Sequence, residues 1–148
     1  MNPTAPIFAA LAVLCAATGL ASPALADDPP PGDPPPPQVF NVRYTVTADK
    51  LVNARIYYRD TDPPSFSDYS HDPYVFSPTA DATVGPGKPW VLETTLTDPI
   101  QWGMVAVQAQ GSLPLAAAGF NCTMAINGAV VKTNSGPKGA LCSLRNWQ

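Results

Sequence analysis

From Val39 onward the apolar and polar positions alternate with a period of two. Phe40, Val42, Tyr44 and Val46 alternate with Asn41, Arg43, Thr45 and Thr47. That pattern predicts a strand with one dry and one wet face. After a turn at Asp49-Lys50, Val52, Ala54, Ile56 and Tyr58 alternate with Asn53, Arg55, Tyr57 and Arg59. This second strand is expected to be the hairpin partner of the first, with Arg59 on its wet side. Residues 60 to 88 form a long connection rich in Asp, Ser and Pro. Tyr74-Val75-Phe76 reads as a short edge strand inside it, bounded by Pro73 and Pro78. Trp90 to Leu96 predicts the next strand, and Asp98-Pro99 a turn. Trp102 to Gln110 is nearly apolar on both faces, as a central strand would be.

The strongest local signal lies in the last third. Phe120, Cys122, Met124 and Ile126 alternate with Asn121, Thr123 and Ala125 and lead into Asn127-Gly128 and a second run, Ala129 to Thr133. Asn-Gly between two such runs predicts a type I′ hairpin, because both central residues must take positive φ. Asn134 to Pro137 reads as a break, and Ala140, Cys142 and Leu144 as a last short strand. About seven short strands, Gly/Pro turns and no helical period after the leader predict an all-β domain. The expected form is a small antiparallel β-sandwich, Ig-like, with a small barrel as the other closed arrangement.

Residues 1 to 38 follow different rules. Pro6 to Ala17 is apolar, no side chain before Asp27 is charged, and Ala24-Leu25-Ala26 offers small residues where a signal peptidase reads. The stretch is alanine-rich and interrupted by Gly19 and Pro23, which suits a cleaved leader better than a permanent span. Seven prolines between Asp27 and Gln38 favour extended polyproline II. At about 3.1 Å per residue such a spacer would hold a domain roughly 30 Å from an attachment point. The expected organisation is a signal peptide at 1–26, a proline-rich spacer at 27–38 and the sandwich at 39–148. The expected location is secreted, or periplasmic and cell-wall associated, with no membrane span in the mature chain.

Export leaves Cys122 and Cys142 as an even pair in an oxidising compartment, most simply a disulfide. The net charge of −3 and the absence of a basic run exclude the electrostatic footprint of a nucleic-acid binder. Catalysis is not expected: His71 is the single histidine, Glu93 the single glutamate, and no strained nucleophile turn is present. No metal or other cofactor is expected either. Asp60, Asp62, Asp68, His71 and Asp72 lack calcium-loop spacing, and Asp before Pro is an ordinary turn residue. Phe66, Tyr69, Tyr74 and Phe76 are four aromatics within the same connection. They are either pins that hold the loop to the sandwich or a recognition surface. The first is the commoner role for such rings, and a loop this long without its own secondary structure motivates the second.

Several segments resemble the extracytoplasmic domain of the mycobacterial membrane protein small family (MmpS). They are Val42 to Val46, Ile56 to Asp60, Lys88-Pro89-Trp90, Val105 to Gly111, and Cys122 to Gly128 followed by Cys142. The resemblance implies a β-sandwich accessory of an RND-type (MmpL) transporter that exports siderophores or lipids. The expected partners are therefore an MmpL-type transporter or a lipid- or siderophore-like ligand. A free extracellular binder of an apolar ligand, or a structural, antigen-like secreted protein, stays open as the alternative. Members of that family keep an uncleaved N-terminal anchor, and here the leader and proline spacer depart from it. N-terminal sequencing of the protein from culture fluid or cell wall is expected to begin at Asp27; a start at Asn2 would restore an anchored form.

Overall fold

Alternation along Phe40–Ala48 becomes a strand, β1, with Val42, Tyr44, Val46 and Ala48 buried and Asn41 and Arg43 exposed. The computed structural model describes residues 34–111 and 118–145. The chain divides into two units, 1–34 and 35–148, and every strand named here belongs to the second. After β1 come β2 (Val52–Tyr58), α1 (Phe66–His71), β3 (Thr79–Val84), β4 (Trp90–Leu96) and α2 (Pro99–Trp102). Then come β5 (Met104–Ala109), β6 (Phe120–Ile126), β7 (Ala129–Gly136) and β8 (Gly139–Ser143). The strands form two antiparallel four-stranded sheets, ordered β4-β1-β6-β7 and β3-β2-β5-β8. The architecture is the expected β-sandwich.

The core lies where the apolar faces of the two sheets meet. Val42, Tyr44 and Val46 of β1 and Phe120, Cys122 and Met124 of β6 come from one sheet. Ala54 and Ile56 of β2 and Val105 and Val107 of β5 come from the other. Cys122, opposite Val46, and Cys142, opposite Val105, are bonded with Cα atoms 5.9 Å apart. The disulfide therefore joins the two sheets through the middle of the core.

The β6–β7 hairpin turns on Asn127 (φ 49°) and Gly128 (φ 84°), the two positive angles that the Asn-Gly pair foretold. The expected β1–β2 hairpin does not form, since the two strands lie in different sheets. Alternation says which face of a strand is dry, not which strand lies beside it. Three connecting residues, Asp49-Lys50-Leu51, can reach about 10 Å when extended, the spacing of two packed sheets. The Asp49 N–H, directed at the carbonyls of Ala118 and Gly119 (3.1 and 3.0 Å), fixes this crossing.

Other boundaries shift for equally local reasons. β7 runs through Asn134 and Ser135 to Gly136, because an edge strand pairs on one side only and tolerates turn residues. Two short helices replace expected loop and strand. Ser65 caps α1 by accepting from the Asp68 N–H (3.2 Å), and Asp98 caps α2 by accepting from the Gln101 N–H (3.0 Å). Pro99 comes after Asp98 at the first turn of α2, a position where its missing N–H costs nothing. Trp102 thus ends a helix rather than starting a strand. Tyr74-Val75-Phe76 is a turn, and the edge strand of that sheet is β3 instead.

The disulfide closes a separation of 20 residues. Chain-entropy reasoning gives such a closure about 3 kcal/mol of stabilisation. The Cys122→Ser/Cys142→Ser double variant should melt roughly 10 °C or more below the parent in a thermal scan.

Candidate functional site

β2 carries its wet face, Asn53, Arg55 and Tyr57, on the outer side of its sheet. Arg59, one residue past the strand, continues that alternation, and its N–H still pairs with the Met104 carbonyl at 3.0 Å. Yet Arg59 is 0% exposed. The connection after β2 folds back over it. Its guanidinium carbon lies 4.6 Å from the Tyr69 ring centroid and 5.9 Å from that of Trp102. Arg59 Nη1 donates to the backbone carbonyl of Phe76.

The four aromatics of the connection are thereby separated. Tyr69, on α1, is half-buried against Trp102, with ring centroids 5.7 Å apart. Phe66, on the first turn of α1, lies 6.2 Å from Tyr69 and is 52% exposed. Phe76 is partly buried and supplies the carbonyl for Arg59. Tyr74 stands 80% exposed and Val75 beside it 67%. Arg145, just beyond β8, sits 4.8 Å from the Phe66 centroid and 5.7 Å from that of Trp102. Two guanidinium groups therefore share one tryptophan. Sequence patterning marks none of Arg59, Trp102 and Arg145 as part of a site. Arg59 falls on a wet face, Trp102 opens an apolar run that resembles a strand, and Arg145 has no pattern around it.

The aspartates of this connection act separately. The Asp62 carboxylate accepts from the backbone N–H groups of Thr97 (2.7 Å) and Asp98 (3.0 Å). The Asp60 carbonyl accepts from the Thr94 hydroxyl (3.1 Å), which ties the start of the connection to β4. Asp68 is hydrogen-bonded to Ser65 (2.5 Å) within α1, and the His71 ring Nδ1 lies 2.8 Å from the Ser67 carbonyl. Beneath the strap, the Tyr44 hydroxyl of β1 accepts from the Met104 N–H (3.2 Å) and so links the two sheets. Burial pushes this phenol up to about 12.

Arg59 is the costly element. A guanidinium does not lose its proton in a protein, so it cannot escape burial by neutralising. Stacking on Tyr69 and Trp102 returns about 2 kcal/mol for each desolvated cation–π contact. Its hydrogen bond to Phe76 adds about 1.5–3 kcal/mol, the range for a charged donor. Nε and Nη2, however, are buried with no hydrogen-bond partner among the described residues. Each unmade donor carries a desolvation cost of about 1–3 kcal/mol, more when charged. Native interiors rarely keep such a group without a reason.

Two shallow clefts lie elsewhere. One, of about 280 Å³, runs along Asn41, Arg43, Glu93 and Gly128, with Arg43 and Glu93 paired at 3.4 Å. The other, of about 150 Å³, is lined by Asn53, Asp81, Thr83 and Gln110. There Arg55 grips Asp81 with two hydrogen bonds, Nε to Oδ1 at 2.9 Å and Nη2 to Oδ2 at 3.1 Å. These bonds hold the Asp81 carboxyl below its usual range.

Residues 44–142 match the family described as the Rv2576c beta-sandwich domain. The chain belongs to that family. It is similar to the uncharacterized protein Rv2576c of Mycobacterium tuberculosis strain H37Rv and to the uncharacterized protein Mb2606c of Mycobacterium bovis. Each is 34% identical over 111 residues, which cover 75% of this chain and 70% of the relative. The region matched to the Rv2576c domain contains Arg59, Tyr69, Trp102 and both cysteines, and it ends before Arg145. Among the described residues no helix is long and apolar enough to cross a membrane.

Trp102 is 4% exposed and touches Tyr69 and both guanidinium groups. Trp102→Ala should cost about 3 kcal/mol or more in denaturant unfolding. Phe66→Ala, half out of the cluster, should cost less than half as much in the same measurement.

Proposed function

We propose that this member of the Rv2576c family is an exported, non-catalytic binding protein of the envelope whose recognition surface is the 60–88 connection. The observation that carries the reading is the division of labour among its rings. Tyr69 pins α1 to Arg59 and Trp102, while Phe66, Tyr74 and Val75 remain outward. Exposed apolar side chains on a segment that is already held lose little freedom on binding, which favours affinity. The non-catalytic part rests on the inventory of groups: the His71 imidazole Nδ1 and the Ser70 hydroxyl are both turned to the Ser67 backbone carbonyl rather than to each other.

The leader and its cleavage after Ala26 lie outside the described residues, and export remains part of the proposal. The finer reading, an MmpS-like accessory of an MmpL-type exporter, rests on the segments that resemble MmpS and on the sandwich common to both. Under it, the 60–88 surface meets the transporter or its lipid- or siderophore-like cargo. A free extracellular binder of the same cargo is the alternative.

The Phe66→Ser/Tyr74→Ser double variant tests the surface directly. Its melting temperature should stay within about 2 °C of that of Phe66→Ala alone, since Tyr74 is 80% exposed and a surface change there has a small effect. Protein purified from a mycobacterial culture should release lipid on organic extraction, and the variant should release at least tenfold less by mass spectrometry. Equal lipid loads would remove the surface role from these rings. A parent without bound lipid that still crosslinks to an MmpL-type transporter would favour the accessory form over the free binder.

A further inference from the structure

The Nε and Nη2 groups lie along one side of a guanidinium and point their hydrogens the same way. This edge fits the two oxygens of a carboxylate or phosphate. The protein already uses it once. Arg55, four residues before Arg59 on the same outward face of β2, places this edge on the Asp81 carboxylate. Arg59 has the same edge, fully buried, and among the described residues no carboxylate pairs with it. Of the nearby acids, Asp62 is engaged with the Thr97 and Asp98 N–H groups and Asp68 with Ser65. Arg59 is meanwhile fixed in place, with Nη1 on the Phe76 carbonyl and its face on Tyr69. Arg145 brings a second positive charge to the other contacts of Trp102.

We propose that Arg59 anchors an oxyanion-binding site, its Nε–Nη2 edge receiving the phosphate or carboxylate head of an anionic ligand that bears an apolar tail. Trp102, Tyr69 and Phe66 form the apolar wall beside that head, and Phe66 leads outward to the exposed surface. The edge is buried in the free protein, so the ligand reaches it through a local opening of the connection that covers Arg59, a motion open to elements with few buried side chains, and α1 has none. This inference rests on the binding reading above and gives it a ligand class: an apolar molecule with an anionic head, held by a fork rather than by diffuse charge. A fork explains how a chain of net charge −3 could still take an anion.

The test tracks the arginine Nε–H signals of the whole exported chain by ¹H–¹⁵N NMR. The probes are inorganic phosphate and dihexanoylphosphatidic acid, each compared with sodium chloride at matched ionic strength. The Arg59 Nε–H should move downfield and saturate with a phosphate-bearing probe and stay fixed with chloride. Saturation by both probes alike assigns the site to a free oxyanion, whereas saturation by the phosphatidate alone assigns it to a lipid head. Arg59→Lys, which keeps the charge and loses the fork, should bind at least tenfold more weakly. Arg59→Met should melt no lower than the parent in probe-free buffer and lose the rise in melting temperature that the probe gives the parent. No shift with either probe, or wild-type affinity in Arg59→Lys, overturns the proposal. If Arg59→Met does not fold, the titration of the parent still decides. If Phe66 and Tyr74 govern lipid capture while the Arg59 signal stays still, the oxyanion site falls and the apolar surface stands. If phosphate saturates Arg59 but no lipid is recovered from the parent, the surface reading falls and the oxyanion site stands.

Discussion

Two four-stranded sheets with one apolar face each are stable only when those faces meet, and the rest of this structure hangs on that contact. Val42, Tyr44 and Val46 press against the facing side chains of β2 and β5, and Cys122–Cys142 fastens the sheets at the same depth. A domain of this size buries a limited core, so a covalent tie worth about 3 kcal/mol is a large share of a marginal stability. Tyr44 adds a polar tie, its hydroxyl meeting the Met104 N–H across the interface. Once the sheets are fixed, the ends of β2 and β5 stand side by side, and Arg59 can pair its N–H with Met104.

That pairing places a charged side chain on the outer surface of a sheet, where water would ordinarily meet it. The connection after β2 removes the water. Asp62 fastens the connection to residues 97 and 98, Ser65 starts α1, and Tyr69 closes over the guanidinium. The first half of this connection thus covers one arginine, through Tyr69 and the Phe76 carbonyl, at a cost that stacking and a single hydrogen bond only partly offset. The same arrangement leaves Phe66 and Tyr74 facing outward. Cover and candidate recognition surface are thus one piece of chain. Any ligand that engages the exposed rings would bear on the helix that hides Arg59.

Legibility in the sequence tracks the range of the interaction. The Asn127-Gly128 hairpin is plain because positive φ at two adjacent residues is a local demand. The pairing of Cys122 with Cys142 is plain because only two cysteines lie beyond the expected leader. The aromatic content of residues 66 to 76 is visible too, but the different fates of its rings are not. Tyr69 turns inward only because Trp102, thirty-three positions later, waits there. The caps of both helices are also written in the chain, as Ser65 with Asp68 and as Asp98-Pro99. They read as turns because each helix is too short to show a period.

By itself, then, the sequence determined which face of β1, β2 and β6 is dry, where the tight hairpin turns, which cysteines bond and that the domain is an all-β sandwich or small barrel. Each depends on alternation, on φ at one or two residues, or on counting. Only the tertiary structure decided that β1 and β2 part into different sheets, since alternation carries no information about neighbours. It alone decided that Arg59 is buried rather than wet. Burial belongs to whatever lies above a side chain, and what lies above Arg59 comes from α1, from Phe76 and from Trp102 at the end of α2.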